Sequence, residues 1–419
     1  MVWIGAVLVV ATFYAIIKNF ETRMVLFVSG VVMAVLGGNL TGAFDSFVKT
    51  MVAGELVTTI CTVIGFSYVM DHTSCSKHLV VFLTNLLKKA KIVLVPGAVL
   101  VTFALNIALP SAAGVAAAVG ALLIPTLIGA GAHPALAASA VLLGTWGSVL
   151  SPGLMFNPQV AKIANVDVMT VIATFTKQVL LAAVVAALLL ALIAYLKKEG
   201  AGSQHSEQVM EGEAEFRINY LWALIPVVPL VLLVIGSKQV RLIPEITVAQ
   251  AMVIGTILGM IVTRANPGQA TVKFFKGTGD GYGDIVGLMA AAAVFTKGME
   301  VIGLTGALIE VMKNSQQIAQ FASTFGPFAI AAVSGSGNAA ALAFNGAITP
   351  HAAQFGYGII ELGSMAQIAA GLGRSMSPVA GAAIICARIA GVNPLELAKR
   401  NAAPTLVAAL IVMFTLLGF

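Results

Sequence analysis

Arg374 poses the sharpest chemical question in the sequence. It stands in Gly371-Leu372-Gly373-Arg374-Ser375-Met376-Ser377-Pro378, a stretch without an acid inside a long apolar region. A guanidinium at mid-membrane depth costs at least about 2.5–3.5 kcal/mol on insertion scales, so it needs an anionic partner. A carboxylate on a small ligand would fit its planar fork at two points. The competing reading pairs it with a carboxylate elsewhere in the bundle or with helix-end carbonyls. A second uncharged polar cluster lies at Ser334-Gly335-Ser336-Gly337-Asn338, where glycine allows close backbone approach and the side chains donate and accept. Matching stretches occur earlier, at Leu109-Pro110-Ser111-Ala112-Ala113-Gly114 and at Gly144 to Gly153. The candidate ligand-binding residues are therefore Ser111, Ser148, Ser336, Gly337, Asn338, Arg374, Ser375 and Ser377. Ala113, Thr145, Ser334 and Asn345 are the candidates to hold a cation such as sodium through carbonyl, hydroxyl or amide oxygens. Small residues also serve packing alone, and the Ser-Pro pairs at Ser151 and Ser377 also define chain breaks. Asn157 is a weaker candidate.

These residues must be carried by membrane-embedded helices. Of 419 residues, 59% are hydrophobic and only 10% charged, with a mean hydropathy of +0.99. A soluble domain is roughly a quarter charged, so lipid is the solvent here. The net charge of +6 is scattered in short groups beside apolar spans, which orients a membrane protein and indicates no nucleic-acid partner. Cys61, Cys75 and Cys386 lack metal-ligand spacing, and no disulfide framework is expected. Met1 to Ile17 has no basic leader and reads as a retained first helix. Crossing-length apolar runs fall near 2–17, 24–40, 50–70, 168–196, 219–236, 247–263, 280–302 and 404–419. Four longer apolar regions, 92–128, 135–165, 318–350 and 357–390, are interrupted by small residues and proline. The polar stretch 197–218 is a solvated linker between two halves, 1–196 and 219–419.

The halves repeat one another. Ser111 answers to Ser336 and Pro125 to Pro350 at one offset; after a one-residue slip, Gly147 answers to Gly373, Ser151-Pro152 to Ser377-Pro378 and Lys162 to Arg388. Arg374 corresponds to Ser148. The regions 92–128 and 318–350 are too long for one crossing and too short for two, and each breaks at its middle. They read as re-entrant hairpins, because non-helical backbone at depth is tolerated only inside protein or along a cavity. Broken helices follow at 135–165 and 357–390. The expected fold is an all-α polytopic membrane protein in which each half has five crossings and one hairpin, so that the second half is inverted. The basic residues, including Lys18, Arg23, Lys88, Lys89, Lys91, Lys197, Lys198, Lys399 and Arg400, place the linker in the cytoplasm and both termini outside.

Paired broken segments in inverted repeats point to a secondary transporter whose site lies at the repeat interface. Ser334 to Asn338, Gly371 to Pro378 and Asn393-Pro394-Leu395-Glu396-Leu397-Ala398-Lys399-Arg400 resemble the DcuC-type anaerobic four-carbon dicarboxylate carriers. The resemblance covers most of the chain and is strongest from about 284 to 404. It implies a bacterial inner-membrane homodimer that moves succinate, fumarate or malate by exchange, efflux or cation-coupled uptake, through an elevator motion. Sodium-coupled relatives in the wider superfamily carry Ser-Asn-Thr at both hairpin tips. Here the tips read Ser111-Ala112-Ala113 and Ser336-Gly337-Asn338, which leaves the coupling ion, Na+ or H+, open.

A channel would need a continuous polar pore, and a membrane enzyme an ionisable catalytic set; neither pattern is present, and no organic cofactor is implied. The alternative within transporters is a carrier of another organic anion or of an amino acid, whose ammonium would call for an acid near Arg374. Glu55 and Asp284 occupy equivalent places early in matching helices, where the helix dipole favours an acid; the other reading is a coupling proton site.

Overall fold

Apolar runs punctuated by caps, prolines and glycines fold here into helix after helix, with no strand among the described residues. The structure, a computed structural model, describes residues 1–18, 20–88, 94–200, 216–237, 240–313 and 316–418. The core of the expected linker (201–215), Lys89, Lys91, the first two residues of the hairpin 92–128, and Phe419 lie outside the described residues.

The first half contains α1 (Val2–Ile17), α2 (Thr22–Leu36), α3 (Leu40–Met51), α4 (Gly54–His72), α5 (Cys75–Lys88), α6 (Leu94–Ala108), α7 (Ala112–Gly129), α8 (Pro134–Gly144), α9 (Phe156–Ala164) and α10 (Val168–Leu196). The second contains α11 (Tyr220–Leu224), α12 (Val228–Ile235), α13 (Val248–Thr263), α14 (Pro267–Gly281), α15 (Gly287–Val301), α16 (Leu304–Lys313), α17 (Gln316–Ser334), α18 (Asn338–Ala347), α19 (Ile359–Ser375), α20 (Gly381–Ala390) and α21 (Pro394–Leu417). A 3-10 segment, Gly147–Leu150, lies between α8 and α9, and another, Thr349–Phe355, between α18 and α19.

The order α6 to α10 recurs as α17 to α21, and matching local chemistry produces it. Asn165 ends α9 in the left-handed region (φ 54°), and Gly391 ends α20 in the same way (φ 67°). Asp167 then caps α10 through the Thr170 amide, and Asn393 caps α21 through the Leu395 amide. Each cap satisfies an orphan donor of a helix start. Among the described residues, three helices are long and apolar enough to cross a membrane: Ala112–Gly129, Val168–Leu196 and Pro394–Leu417. The pairs α3 with α4, and Pro267–Val301 with α16, qualify together but are bent by 51° and 77°. The remaining apolar helices are shorter. That α7 itself has crossing length was not anticipated for a hairpin arm.

Two packing layers result. α2 lies on α15, and α4 on α13 and α14, while α6 to α10 interleave with α17 to α21. α8 is buried from Ala135 through Gly144, which suits its all-round apolar sequence. α19 is buried along most of its length. These two buried helices lead into the segments that carry the polar residues.

Candidate functional site

The first break begins where α8 stops at Gly144. A Cβ on Gly144 would come within 2.6 Å of the Val99 carbonyl, and one on Gly147 would overlap the Phe103 carbonyl. These positions are glycine because α6 presses its backbone against the break. Asn106, fully buried on α6, then ties two elements together. Its Oδ1 accepts from the Ser148 amide at 2.8 Å, and its Nδ2 donates to the Leu109 carbonyl at 3.0 Å. The turn between α6 and α7 is thereby fixed to the first break. Asn157 closes the other side, donating to the carbonyls of Val149 (2.9 Å) and Ser151 (2.8 Å).

The second half makes the same close approach, again at glycine. A Cβ on Gly373 would overlap the Phe328 carbonyl of α17, just as Gly147 meets Phe103. Gly335, at φ +75°, turns the tip, and a Cβ there would come within 2.8 Å of the Ala380 amide. One on Gly337 would lie 2.7 Å from the Ala370 Cβ. The tip is thus seated across the end of α19, between Ala370 and Ala380, an interval that contains Arg374 and Ser377. The expected unwinding at Gly371 to Pro378 is displaced: α19 stays helical through Ser375, and the break runs from Met376 to Ala380. The small residues there admit α17 without disrupting helical hydrogen bonds. Arg374 therefore occupies the last turn of a helix, where a cation suits the dipole.

The two breaks meet. Arg374 Nη2 donates to the Thr145 carbonyl at 2.7 Å, across the repeat boundary. Gln367 of α19 donates to Asn157 Oδ1 at 2.7 Å. Asn401 of α21 donates to the Ser375 carbonyl (3.0 Å) and the Ser139 carbonyl (3.3 Å). Buried atoms left without a partner include Trp146 Nε1 and Ser377 Oγ in the two breaks and Arg374 Nε in the last turn of α19. Gln367 Oε1 and Asn401 Oδ1 are unpaired as well. A buried donor without an acceptor costs about 1–3 kcal/mol, so these three donors are prepared for an acceptor.

The other candidate residues fall into different roles. Ser111 caps α7 by accepting from the Gly114 amide at 3.1 Å. Ala113 is exposed in the first turn of the same helix. Thr145 donates its hydroxyl to the Leu142 carbonyl, and Ser375 to that of Gly371. Ser334 Oγ donates to the Ser336 carbonyl at 2.9 Å and accepts from the Ser336 amide at 3.2 Å, ordering the second tip. Asn338 opens α18, whose start at Gly337 has no side-chain cap. Asn345 is fully buried and accepts from Thr349 at 2.9 Å, with its Nδ2 unpaired. Asp284 is largely exposed and pairs with Arg23 at 3.2 Å, and Glu55 stands exposed in the first turn of α4. Asn106, Trp146, Gln367 and Asn401 were not singled out by sequence reasoning.

Contacts also fix the ends of the molecule. Arg400, at the start of α21, forms a two-point ion pair with Glu199 beyond the end of α10, at 2.6 and 2.9 Å. Although burial raises the Glu199 carboxyl, Arg400 outweighs it and holds the group below its ordinary range. The His133 amide donates to the Glu199 carbonyl, so the far end of α7 lies at the same level. At the opposite end of α21, Gln320 near the start of α17 donates to the Gly418 carbonyl at 2.5 Å.

Residues 39–419 match the family of C4-dicarboxylate anaerobic carriers, DcuC. Two Haemophilus influenzae proteins described as uncharacterized transporters are similar. One is 37% identical over 62% of this chain and 98% of its own length, the other 51% identical over 31% of this chain and 89% of its own length. The anaerobic C4-dicarboxylate transporter DcuC of Escherichia coli K12 is 25% identical over 98% of this chain and 95% of its own.

Proposed function

The chain belongs to the DcuC family of C4-dicarboxylate anaerobic carriers, and from that premise we propose that it is a secondary transporter of succinate, fumarate or malate. Its family and relatives are transporters, and the chain is not an enzyme. The observation that carries the reading is the set of buried, unpaired donors at the joined breaks, Arg374 Nε, Trp146 Nε1 and Ser377 Oγ. An ionised carboxylate is acceptor-only, and it supplies what all three lack. Arg374 engages one carboxylate; Ser336, Asn338 and the uncapped amides of α18 hold the other. No carboxylate of the protein pairs with Arg374 among the described residues, which favours a dicarboxylate over an amino acid.

Contacts support an inverted repeat with two re-entrant hairpins. α6 runs parallel to α8, since Thr102, Phe103 and Asn106 meet Gly144, Gly147 and Ser148 in order. α7 then returns from the tip to the level of Glu199. Both arms of this hairpin therefore open toward the Arg400–Glu199 end. α17 runs parallel to α19, with Phe328 at Gly373 and Gly335 at Ala380, and α18 returns antiparallel, with Asn345 beside Gly363. α19 itself runs against the first break, Arg374 at Thr145 and Gln367 at Asn157. The second hairpin therefore opens toward the Gly418 end. α10 spans about 43 Å between these ends, and the breaks lie between them.

On this reading the linker faces the cytoplasm, both termini face the periplasm, and α6 to α10 with α17 to α21 move as the transport body of an inner-membrane homodimer. The coupling ion is Na+ or H+, with Ser334, Thr145, Ala113 and Asn345 near the tips and breaks as its candidates. The test is counterflow in proteoliposomes with a panel of dicarboxylates, monocarboxylates and amino acids, with and without sodium. Dicarboxylate-specific counterflow is expected. Preference for a zwitterion or a monocarboxylate would overturn the assignment.

A further inference from the structure

A cleft of about 420 Å³ separates α3 and α15 from α9 and α18, away from the breaks. Its charged lining is Lys49, Lys162, Lys297 and Glu300, a net charge of two positive. Lys297 is partly neutralised by Glu300 at 2.8 Å. Lys49 and Lys162 are exposed and form no ion pair among the described residues. Two lining atoms, Gln159 Oε1 and Thr296 Oγ1, are buried without a partner. Lys162 sits in the last turn of α9, just before α10 begins, so the cleft opens at the end of the molecule opposite the Arg400–Glu199 pair.

We propose that this cleft is a recruitment site for a small organic dianion, distinct from the site at Arg374 and occupied before it. That the dianion is a transported dicarboxylate rests on the function proposed above; that the cleft binds such an anion does not. A cleft of net positive charge concentrates anions, and such electrostatic focusing raises association rates by about 10-fold or more, an effect that falls with ionic strength. Lys49 and Lys162 supply one positive charge for each carboxylate, and the buried, unpartnered Thr296 hydroxyl offers an uncharged donor. The cleft lies between the two packing layers, so a solute held there touches both.

The test uses full-length protein in proteoliposomes, with Arg374→Ala as background so that the deeper site is disabled. Acylation of Lys162 by an amine reagent is followed with succinate, or with neutral succinamide as control. Succinate should slow labelling several-fold at low salt, succinamide should not, and Lys49→Gln with Lys297→Gln should abolish the protection. In the otherwise native protein, Lys49→Gln should lower kcat/KM about 3- to 10-fold with kcat unchanged and flatten its salt dependence. Equal labelling with and without succinate would overturn the recruitment site even if transport proceeds. Protection in a protein that transports no dicarboxylate would uphold the cleft and overturn the proposed function instead.

Discussion

The two breaks share a backbone geometry and differ in what their polar groups do. In the first, Asn106 and Asn157 occupy the Ser148 amide and the carbonyls of Leu109, Val149 and Ser151, and Ser111 caps its own helix. In the second, the start of α18 has no side-chain cap, and Arg374 Nε and Ser377 Oγ remain unpaired. Apart from Trp146 Nε1, the polar groups named in the first break are satisfied internally, as those of a support are, whereas buried donors without partners are prepared for a ligand. On the proposed reading the repeat supplies a common frame, with the first half mainly holding and the second recognising charge.

The comparison breaks most readily at Arg374. Removing a desolvated charge partner costs about 2–5 kcal/mol, so Arg374→Ala should abolish uptake while insertion and gel-filtration behaviour persist. Arg374→Lys should recover little, because a point charge cannot reproduce the fork. Uptake at the native rate in Arg374→Ala would make the residue a helix-end cation and nothing more.

The shared frame is tested by Gly147→Ala and Gly373→Ala. Each Cβ would overlap a backbone carbonyl, of Phe103 or Phe328, that cannot rotate away. Overpacking costs about 1–3 kcal/mol, so both variants should lower Tm in detergent by similar amounts. A large drop in one and none in the other would remove the equivalence.

Division of labour is sharpened by comparing side chains. Asn157→Ala removes the side-chain donor to the Val149 carbonyl and the acceptor of Gln367, while the Ser151 carbonyl keeps the Leu154 amide; at about 1–3 kcal/mol for a buried orphan it should lower Tm more than it raises KM. Ser336→Ala and Asn338→Ala should do the reverse, weakening binding by about 1 kcal/mol each with little change in Tm. Parallel measurement of Tm and KM decides between the two patterns.

The smallest effect concerns pH. The Glu199 carboxyl sits below its ordinary range, so the stabilisation from Arg400 is present above the unfolded value and is lost as pH falls through the lowered folded one. Glu199→Gln should therefore lower Tm modestly at neutral pH, where the pairing is fully present, and remove a part of the acid-side fall in Tm below about pH 4.3.

Much of this was legible in the sequence because glycine, proline and serine mark breaks at any depth. The helix interruptions at Ser111 and Ser336 and the first break after Gly144 fall where those residues indicate. The second break does not, since Gly371 and Gly373 serve helix packing, and a glycine read alone does not separate packing from unwinding. Asn106, Gln367 and Asn401 were missed because their value lies in contacts made across long sequence separations. A signal existed: the repeat places Ala331 opposite Asn106 and Phe175 opposite Asn401. A polar residue whose repeat mate is apolar marks a position where the halves have divergent tasks.

The central claim, that the second break reads the charge of a dicarboxylate while the first supports it, is tested most directly by ligand-induced stabilisation. A ligand that binds only the folded state raises stability in proportion to RT ln(1 + [L]/Kd). Purified native protein and Asn106→Ala should both gain Tm with saturating succinate, fumarate or malate, from different starting values, and Arg374→Ala should gain none. An equal Tm gain in Arg374→Ala would contradict the claim.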